Sequence, residues 1–255
     1  MLLVIDVGNT NIVLGVMEGL EVRDKWRGST DHRTTDEFGL LLKQLLGVGG
    51  IEHIYGVIVS CVVPSTLYSI KKACRRYLNE DALVVGTGIR TGIRIRTDNP
   101  REVGADRIVN AVAAKEKIEP PFVVVDFGTA TTFDCVDHKG NYVGGAIAPG
   151  LQIGAEALFS KTSQLPNVQV TRPAKAIGTN TVDCIQSGLF FGYMGLVDNL
   201  ARVCKSELSG AGRRVSCIAT GGFSALIGGS CTEIDEVDEH LTLRGLAILW
   251  EKNRD

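Results

Sequence analysis

The sequence predicts an α/β protein made of two similar halves, and three observations predict it. Leu2 to Ile5 form a continuous apolar run, the pattern of a strand buried on both faces. That run leads straight into Asp6-Val7-Gly8-Asn9-Thr10. The same stretch returns close to half-way along the 255-residue chain, where Phe122 to Val125 lead into Asp126-Phe127-Gly128-Thr129-Ala130-Thr131. The echo continues past the turn. Ile12 to Met17 close on Gly19, and Thr132 to Val136 close on Gly140. Each copy therefore reads as strand, polar turn, strand and hairpin, and an internal repeat of this size governs the fold.

The turn has chemical uses. Gly8 has no Cβ, so a bulky ligand such as a phosphate chain can approach the backbone there. Free N–H groups of such a turn can hold phosphate oxygens. Asp6 is placed to hold a hard cation, directly or through water. One copy alone would be an ordinary hairpin turn rich in Asp and Gly. Two copies in corresponding positions argue for a cleft with one phosphate-facing turn on either side.

The bulk properties narrow the class. At 44% hydrophobic residues the chain is ordinary for a globular protein, and its formal charge of −2 gives no basic footprint for nucleic acid. No apolar run approaches the roughly 18 residues of a membrane span, and no basic segment precedes the first strand to suggest a signal peptide. Seven cysteines are scattered singly without a C-x-x-C pair, which disfavours a zinc site and suits a reducing cytoplasm. The 30 glycines gather at turn ends, as many tight strand exits require.

The remaining elements follow in order. Glu21 to Arg27 predict a third strand. Thr34-Thr35-Asp36-Glu37 predict a helix start, and Phe38, Leu41, Leu42, Leu45 and Leu46 recur at helical spacing until Gly47 to Gly50. Tyr55 to Val63 is a strand stopped by Pro64. Leu67, Ile70, Cys74, Tyr77 and Leu78 mark an amphipathic helix whose Lys71, Lys72, Arg75 and Arg76 form a solvated face. Ala82 to Val85 is a short strand, and Gly92 to Thr97, alternating charge and isoleucine, predicts a half-exposed one. Asp98 to Val103 is a polar loop, and Ile108, Val109, Val112 and Ala113 predict a helix with Asp106 and Arg107 at its N-terminus. Asp106 then either satisfies the helix dipole or is a carboxylate held at the cleft with Arg107 beside it for an anionic group. The first role predicts a low pKa.

Lys115 to Pro121 reads as the linker, dividing the chain into halves 1–117 and 118–255. Asn141 to Ala148 is a strand rich in small residues, Leu151 to Phe159 a helix, and Lys161 to Pro173 a loop. Val182 to Leu208 predict a long helix whose Gly188, Gly192 and Gly195 serve core packing or a dimer face. Val215 to Thr220 is a strand ending in Gly221-Gly222, which would let a flat base lie on the backbone or simply make a tight turn. Leu243 to Trp250 closes the chain as a helix.

Taken together in order, Asp6 to Asn11, Gly104-Ala105-Asp106-Arg107, Asp126 to Thr131 and Asn180-Thr181 resemble the type III pantothenate kinases over nearly the whole chain. That resemblance implies membership of the acetate and sugar kinase, heat-shock ATPase and actin superfamily. Each half would be a ribonuclease-H-like domain with a mixed sheet flanked by helices. It implies phosphorylation of pantothenate by ATP, the first step toward coenzyme A, in a cytoplasmic homodimer that requires a monovalent cation such as K⁺ or NH₄⁺. It further implies that Asp6, Val7, Gly8, Asn9, Thr10, Asn11, Ile12 and Val13 cradle the ATP phosphates, with Asp6 orienting Mg²⁺ indirectly, and that Thr129 also contacts ATP. Asp126 would hold the monovalent cation, and Asp106 would be the base facing the pantothenate hydroxyl. Gly104, Ala105, Asp106, Arg107 and Thr181 would bind pantothenate. Thr97 stands where the family commonly has a tyrosine lining the pantothenate pocket, and ranks last among the substrate residues. Relatives described as transcriptional accessory factors suggest an alternative, a non-catalytic nucleotide-binding protein. Intact Asp6, Asp106 and Asp126 argue against it.

Overall fold

A computed structural model describes residues 1–210 and 212–254. The chain forms two units, each with its own five-stranded sheet. The first contains Met1–Gly92, Asn99–Ala113 and the C-terminal residues from His240. The second contains Ile93–Asp98 and Ala114–Glu239.

In the first unit, β1 (Leu2–Val7), β2 (Asn11–Glu18) and β3 (Glu21–Ser29) form an antiparallel meander. Helix α1 (Thr35–Val48) follows; Thr34 caps it, its hydroxyl accepting from the Glu37 N–H while the Glu37 carboxylate accepts from the Thr34 N–H. This is the reciprocal cap that the Thr34-to-Glu37 spacing encodes. Strand β4 (Gly56–Cys61) then returns parallel to β1. Pro64 opens α2 (Pro64–Ala73), where its missing N–H costs nothing. The helix continues through a π turn to Leu78, and β5 (Ala82–Val84) completes the order β3-β2-β1-β4-β5. One sheet face, with Leu3, Ile5, Val7, Ile12, Leu14, Val57 and Val59, packs on Phe38, Leu42 and Leu46 of α1 and on Ile70 and Ala73 of α2.

Asn99 caps a short 3₁₀ turn over Pro100–Glu102, and α3 (Ala105–Lys117) begins in the first unit and ends in the second. In the second unit β6 (Phe122–Phe127), β7 (Ala130–Val136) and β8 (Tyr142–Pro149) repeat the meander. Helix α4 (Leu151–Ser160) and the long α5 (Thr181–Ser209) follow. Strand β9 (Ser216–Gly221) lies parallel to β6, α6 (Ser224–Ile227) is one turn, and β10 (Glu236–Val237) gives the order β10-β9-β6-β7-β8. Read from the meander inward, this is the order of the first sheet. Phe127, Phe133, Cys135 and Cys217 pack beneath Phe190, Tyr193, Val197 and Ala201 of α5. Helix α7 (Leu241–Asn253) returns to the first unit, where Gly245 meets the Val109 backbone of α3 and Trp250 covers Gly56. No helix of the described residues is long and apolar enough to cross a membrane.

Three expectations change. Residues 92–97 do not form a strand. Only Ile95 makes an isolated bridge, to Tyr142, with the Arg96 N–H donating to the Tyr142 carbonyl and the Tyr142 N–H to the Arg94 carbonyl. The predicted linker is shorter than 115–121, because α3 runs to Lys117. Gly188, Gly192 and Gly195 of α5 are exposed, with nothing within 4 Å of an added Cβ, so they do not serve core packing.

Candidate active site

Asp6 and Asp126 stand near the matching ends of the first strand of each sheet, and each unit builds its own tip. In the first, β1 ends in the turn Gly8–Thr10. The Gly8 N–H closes that turn by donating to the Asn11 carbonyl at 2.9 Å. That N–H is therefore spent on the turn rather than left for phosphate. Thr30, just past β3, laces the tip, its hydroxyl donating to the Gly8 carbonyl at 2.8 Å and its N–H to the Thr10 carbonyl at 3.0 Å. Asn9 and Thr10 are exposed, and Asp6, Gly8, Asn11 and Val13 are half-buried. Val7 and Ile12 point into the core against α1 and α2. Their side chains face away from the tip, which leaves them only backbone to offer a ligand.

The second tip spans Gly128–Thr129, with Asp126 and Thr129 half-buried. It is enclosed by close backbone approaches. A Cβ on Gly150 would strike the Thr129 carbonyl, and a Cβ on Gly221 would strike the Asp126 carboxylate and the Phe127 backbone. Gly221 also has φ +95°, a conformation that side chains resist. The glycine at the end of β9 is thus required by the aspartate beside it. The Thr131 hydroxyl bonds to Tyr193 on α5, tying the tip to that helix.

Asp106 lies in the first turn of α3. Its Oδ1 accepts from the Arg107 N–H at 2.9 Å and sits where a Cβ on Gly104 would be, so the glycine makes room for the carboxylate. The expected low pKa is overturned. Burial pushes the Asp106 carboxyl above the ordinary aspartate value, and the Arg107 N–H and guanidinium charge pull it down without prevailing. Ala105 and Arg107 flank it, both half-buried.

Thr181 is the exposed first residue of α5; Asn180 before it is the cap, its carbonyl oxygen accepting from the Asp183 N–H at 3.0 Å. Thr97 lies in the second unit beside Gly144, its hydroxyl buried with no partner among the described residues. A groove of about 410 Å³ at the end of α1, lined by Lys43, Leu46, Ile51 and Leu78, is elsewhere and contains none of these residues. Sequence reasoning passed over Tyr193, Gly150 and Thr30. Only the fold brings them to the tips.

Duplicated mixed sheets, each with an Asp-x-Gly turn at the end of its first strand, define a two-unit α/β fold of the kind seen in sugar kinases. Solved structures agree at the level of fold. A Campylobacter jejuni protein, named for the Baf family of transcriptional activators, matches with a TM-score of 0.60 at 19% identity, over 99% of this chain and 98% of that one. A Sinorhizobium meliloti protein, named for 2-dehydro-3-deoxygalactonokinase, also gives 0.60, at 11% identity over 98% of each chain.

Sequence narrows the class to one family. The pattern of the type III pantothenate kinases matches residues 2–203. Proteins of that name from Geobacter sulfurreducens and Brevibacillus brevis are 52% and 48% identical to this chain, each over 100% of both chains. The chain belongs to the type III pantothenate kinase family.

Proposed function

We propose that this chain transfers the terminal phosphate of ATP to the hydroxyl of pantothenate, the first step toward coenzyme A. The observation that carries this reading is the full-length match to type III pantothenate kinases at about half identity, on a fold with two acidic tips and a half-buried carboxylate at Asp106.

Phosphoryl transfer passes through a loose transition state, so catalysis is mainly positioning and charge neutralisation. Asp106 accepts the hydrogen bond of the substrate hydroxyl and takes its proton as the bond to phosphorus forms. Its raised pKa suits that role better than a low one would. Gly104 leaves space over the carboxylate. Arg107 and Thr181 hold the polar ends of pantothenate, and Thr97 gives its pocket a small polar wall in place of an aromatic one. The Asp6 to Val13 turn and Thr129 hold nucleotide phosphates, the exposed Asn9 and Thr10 being best placed.

Two ions belong to this reading. Asp6, a half-buried carboxylate beside the buried Ser60 hydroxyl, fits a hydrated Mg²⁺ held through its waters. Asp126, half-buried with Thr132 and Thr220 on the flanking strands, fits K⁺ or NH₄⁺. Such ions neutralise phosphate charge. The exposed glycine face of α5, with Phe191 39% and Val203 41% exposed, supports a homodimer through that helix. Single, unpaired cysteines support a cytoplasmic location.

The test is an ATP-dependent assay over a panel of small alcohols and sugars, with and without K⁺. The proposal expects phosphorylation of pantothenate alone and a strong fall without the monovalent ion. Nucleotide binding without transfer to pantothenate would overturn it in favour of a non-catalytic role.

A further inference from the structure

The strand registers reveal a second repeat that the sequence does not announce. Asp6 on β1 lies beside Ser60 on the parallel strand β4, and Asp126 on β6 lies beside Thr220 on the parallel strand β9. Laterally paired residues share a sheet face, and neighbouring strands are about 4.8 Å apart. Each tip aspartate therefore has a hydroxyl side chain as its immediate neighbour. Both hydroxyl residues are buried, Ser60 at 0% and Thr220 at 1% exposure, within runs where alanine or valine would serve packing as well. The Ser60 hydroxyl has no partner among the described residues. Leaving a buried hydroxyl unsatisfied costs about 1–3 kcal/mol, so a serine at this place in β4 points to a partner supplied from outside the chain.

The other flank differs between the units. Asp6 lies opposite Val13, whereas Asp126 lies opposite Thr132. The Thr132 hydroxyl donates its proton to the buried Asp134 carboxylate at 3.0 Å, so toward any further partner it can act only as an acceptor. The first aspartate thus has one hydroxyl neighbour and the second has two. A small divalent ion keeps most of its waters and needs few protein groups to hold them. A large monovalent ion sheds water readily and takes several neutral oxygens.

We propose that Ser60 and Thr220 are positioning residues that sort the two cations. Ser60 accepts a hydrogen bond from a water of the divalent ion at Asp6. Thr220, with Thr132, supplies neutral oxygens to the monovalent ion at Asp126. This rests on the cation roles given to the two aspartates above.

The experiment measures binding rather than turnover. Mn²⁺ is titrated in the presence of ADP by electron paramagnetic resonance, and K⁺ is titrated by its effect on the melting temperature. Ser60→Ala is expected to weaken Mn²⁺ binding about tenfold and leave the K⁺ midpoint unchanged. Thr220→Val, which keeps the side-chain shape, is expected to raise the K⁺ midpoint about tenfold and leave Mn²⁺ binding unchanged. Ser60→Thr and Thr220→Ser, which retain the oxygen, should behave as wild type. Ser60→Cys and Thr220→Cys repeat the test should a first variant fail to fold. Lowered melting temperatures with both titrations unchanged would show purely structural hydroxyls and overturn the proposal. Wild-type protein that responds to neither ion would instead overturn the cation roles of Asp6 and Asp126.

Discussion

At the first tip Asp6 stands between Val13 and Ser60, and β4 ends in Cys61, whose thiol donates to the Val63 carbonyl at 3.1 Å. At the second tip Asp126 stands between Thr132 and Thr220, and the position of Cys61 is taken by Gly221, pressed against the carboxylate. The strands and registers are the same. The backbone of the tip is alike in the two units, while different residues on the flanking strands give each aspartate a different setting. The first unit also carries Asp106, a half-buried acid in the first turn of α3. The halves therefore share a scaffold and differ in the side chains set around each tip.

The sharpest way to break that contrast is Asp106→Asn. Turnover should fall about 10²-fold or more while ATP binding survives. Unchanged turnover, measured beside nucleotide binding by calorimetry, would remove the base from the first unit. The two glycine-or-cysteine positions come next. Gly221→Ala should destabilise by about 2–3 kcal/mol, from a forced positive φ and a clash with Asp126. Cys61→Gly, the converse change, should cost about 1 kcal/mol or less. Denaturant melts compare them directly, and equal losses would mean the tips are packed alike.

Helix caps give a smaller contrast. Thr34→Ala removes the reciprocal cap of α1 and Asn180→Ala the cap of α5, each for about 1 kcal/mol. Only Asn180→Ala should also raise the pantothenate KM, because Thr181 begins the same helix. The smallest effect concerns pH. Asp106 must be ionised to accept a proton, so kcat/KM should fall as pH drops through a pKa lying above the ordinary aspartate value. A raised carboxyl pKa favours the folded state most below the unfolded pKa, and that advantage is lost as pH rises through the folded value. Asp106→Asn should therefore melt about 2 °C higher than wild type at neutral pH, with the gap closing in acid. A lower melting temperature at neutral pH would contradict the burial cost.

What the sequence shows is what local pattern controls. The apolar runs before Asp6 and Asp126, the Thr34 cap and Pro64 at a helix start declare themselves within a few residues. The alternation over 92–97 misleads because it records which side chains turn inward, with Ile93 buried, and says nothing of whether a partner strand runs alongside. The Asp106 pKa misleads for a related reason: its helix position is visible in sequence, but its burial is not. Ser60 hides inside an apolar strand and becomes notable only when register sets it beside Asp6. The return of α7 to the first unit likewise rests on contacts such as Gly245 with Val109, which join distant parts of the sequence.

The most direct measurement follows labelled phosphate from ATP to pantothenate, using wild type and Asp106→Asn at matched nucleotide occupancy in K⁺ buffer. Rapid label transfer by wild type, with about one-hundredth of that rate or less in the variant, is the expected result. Equal transfer by both proteins, or none by wild type with nucleotide bound, would contradict the account.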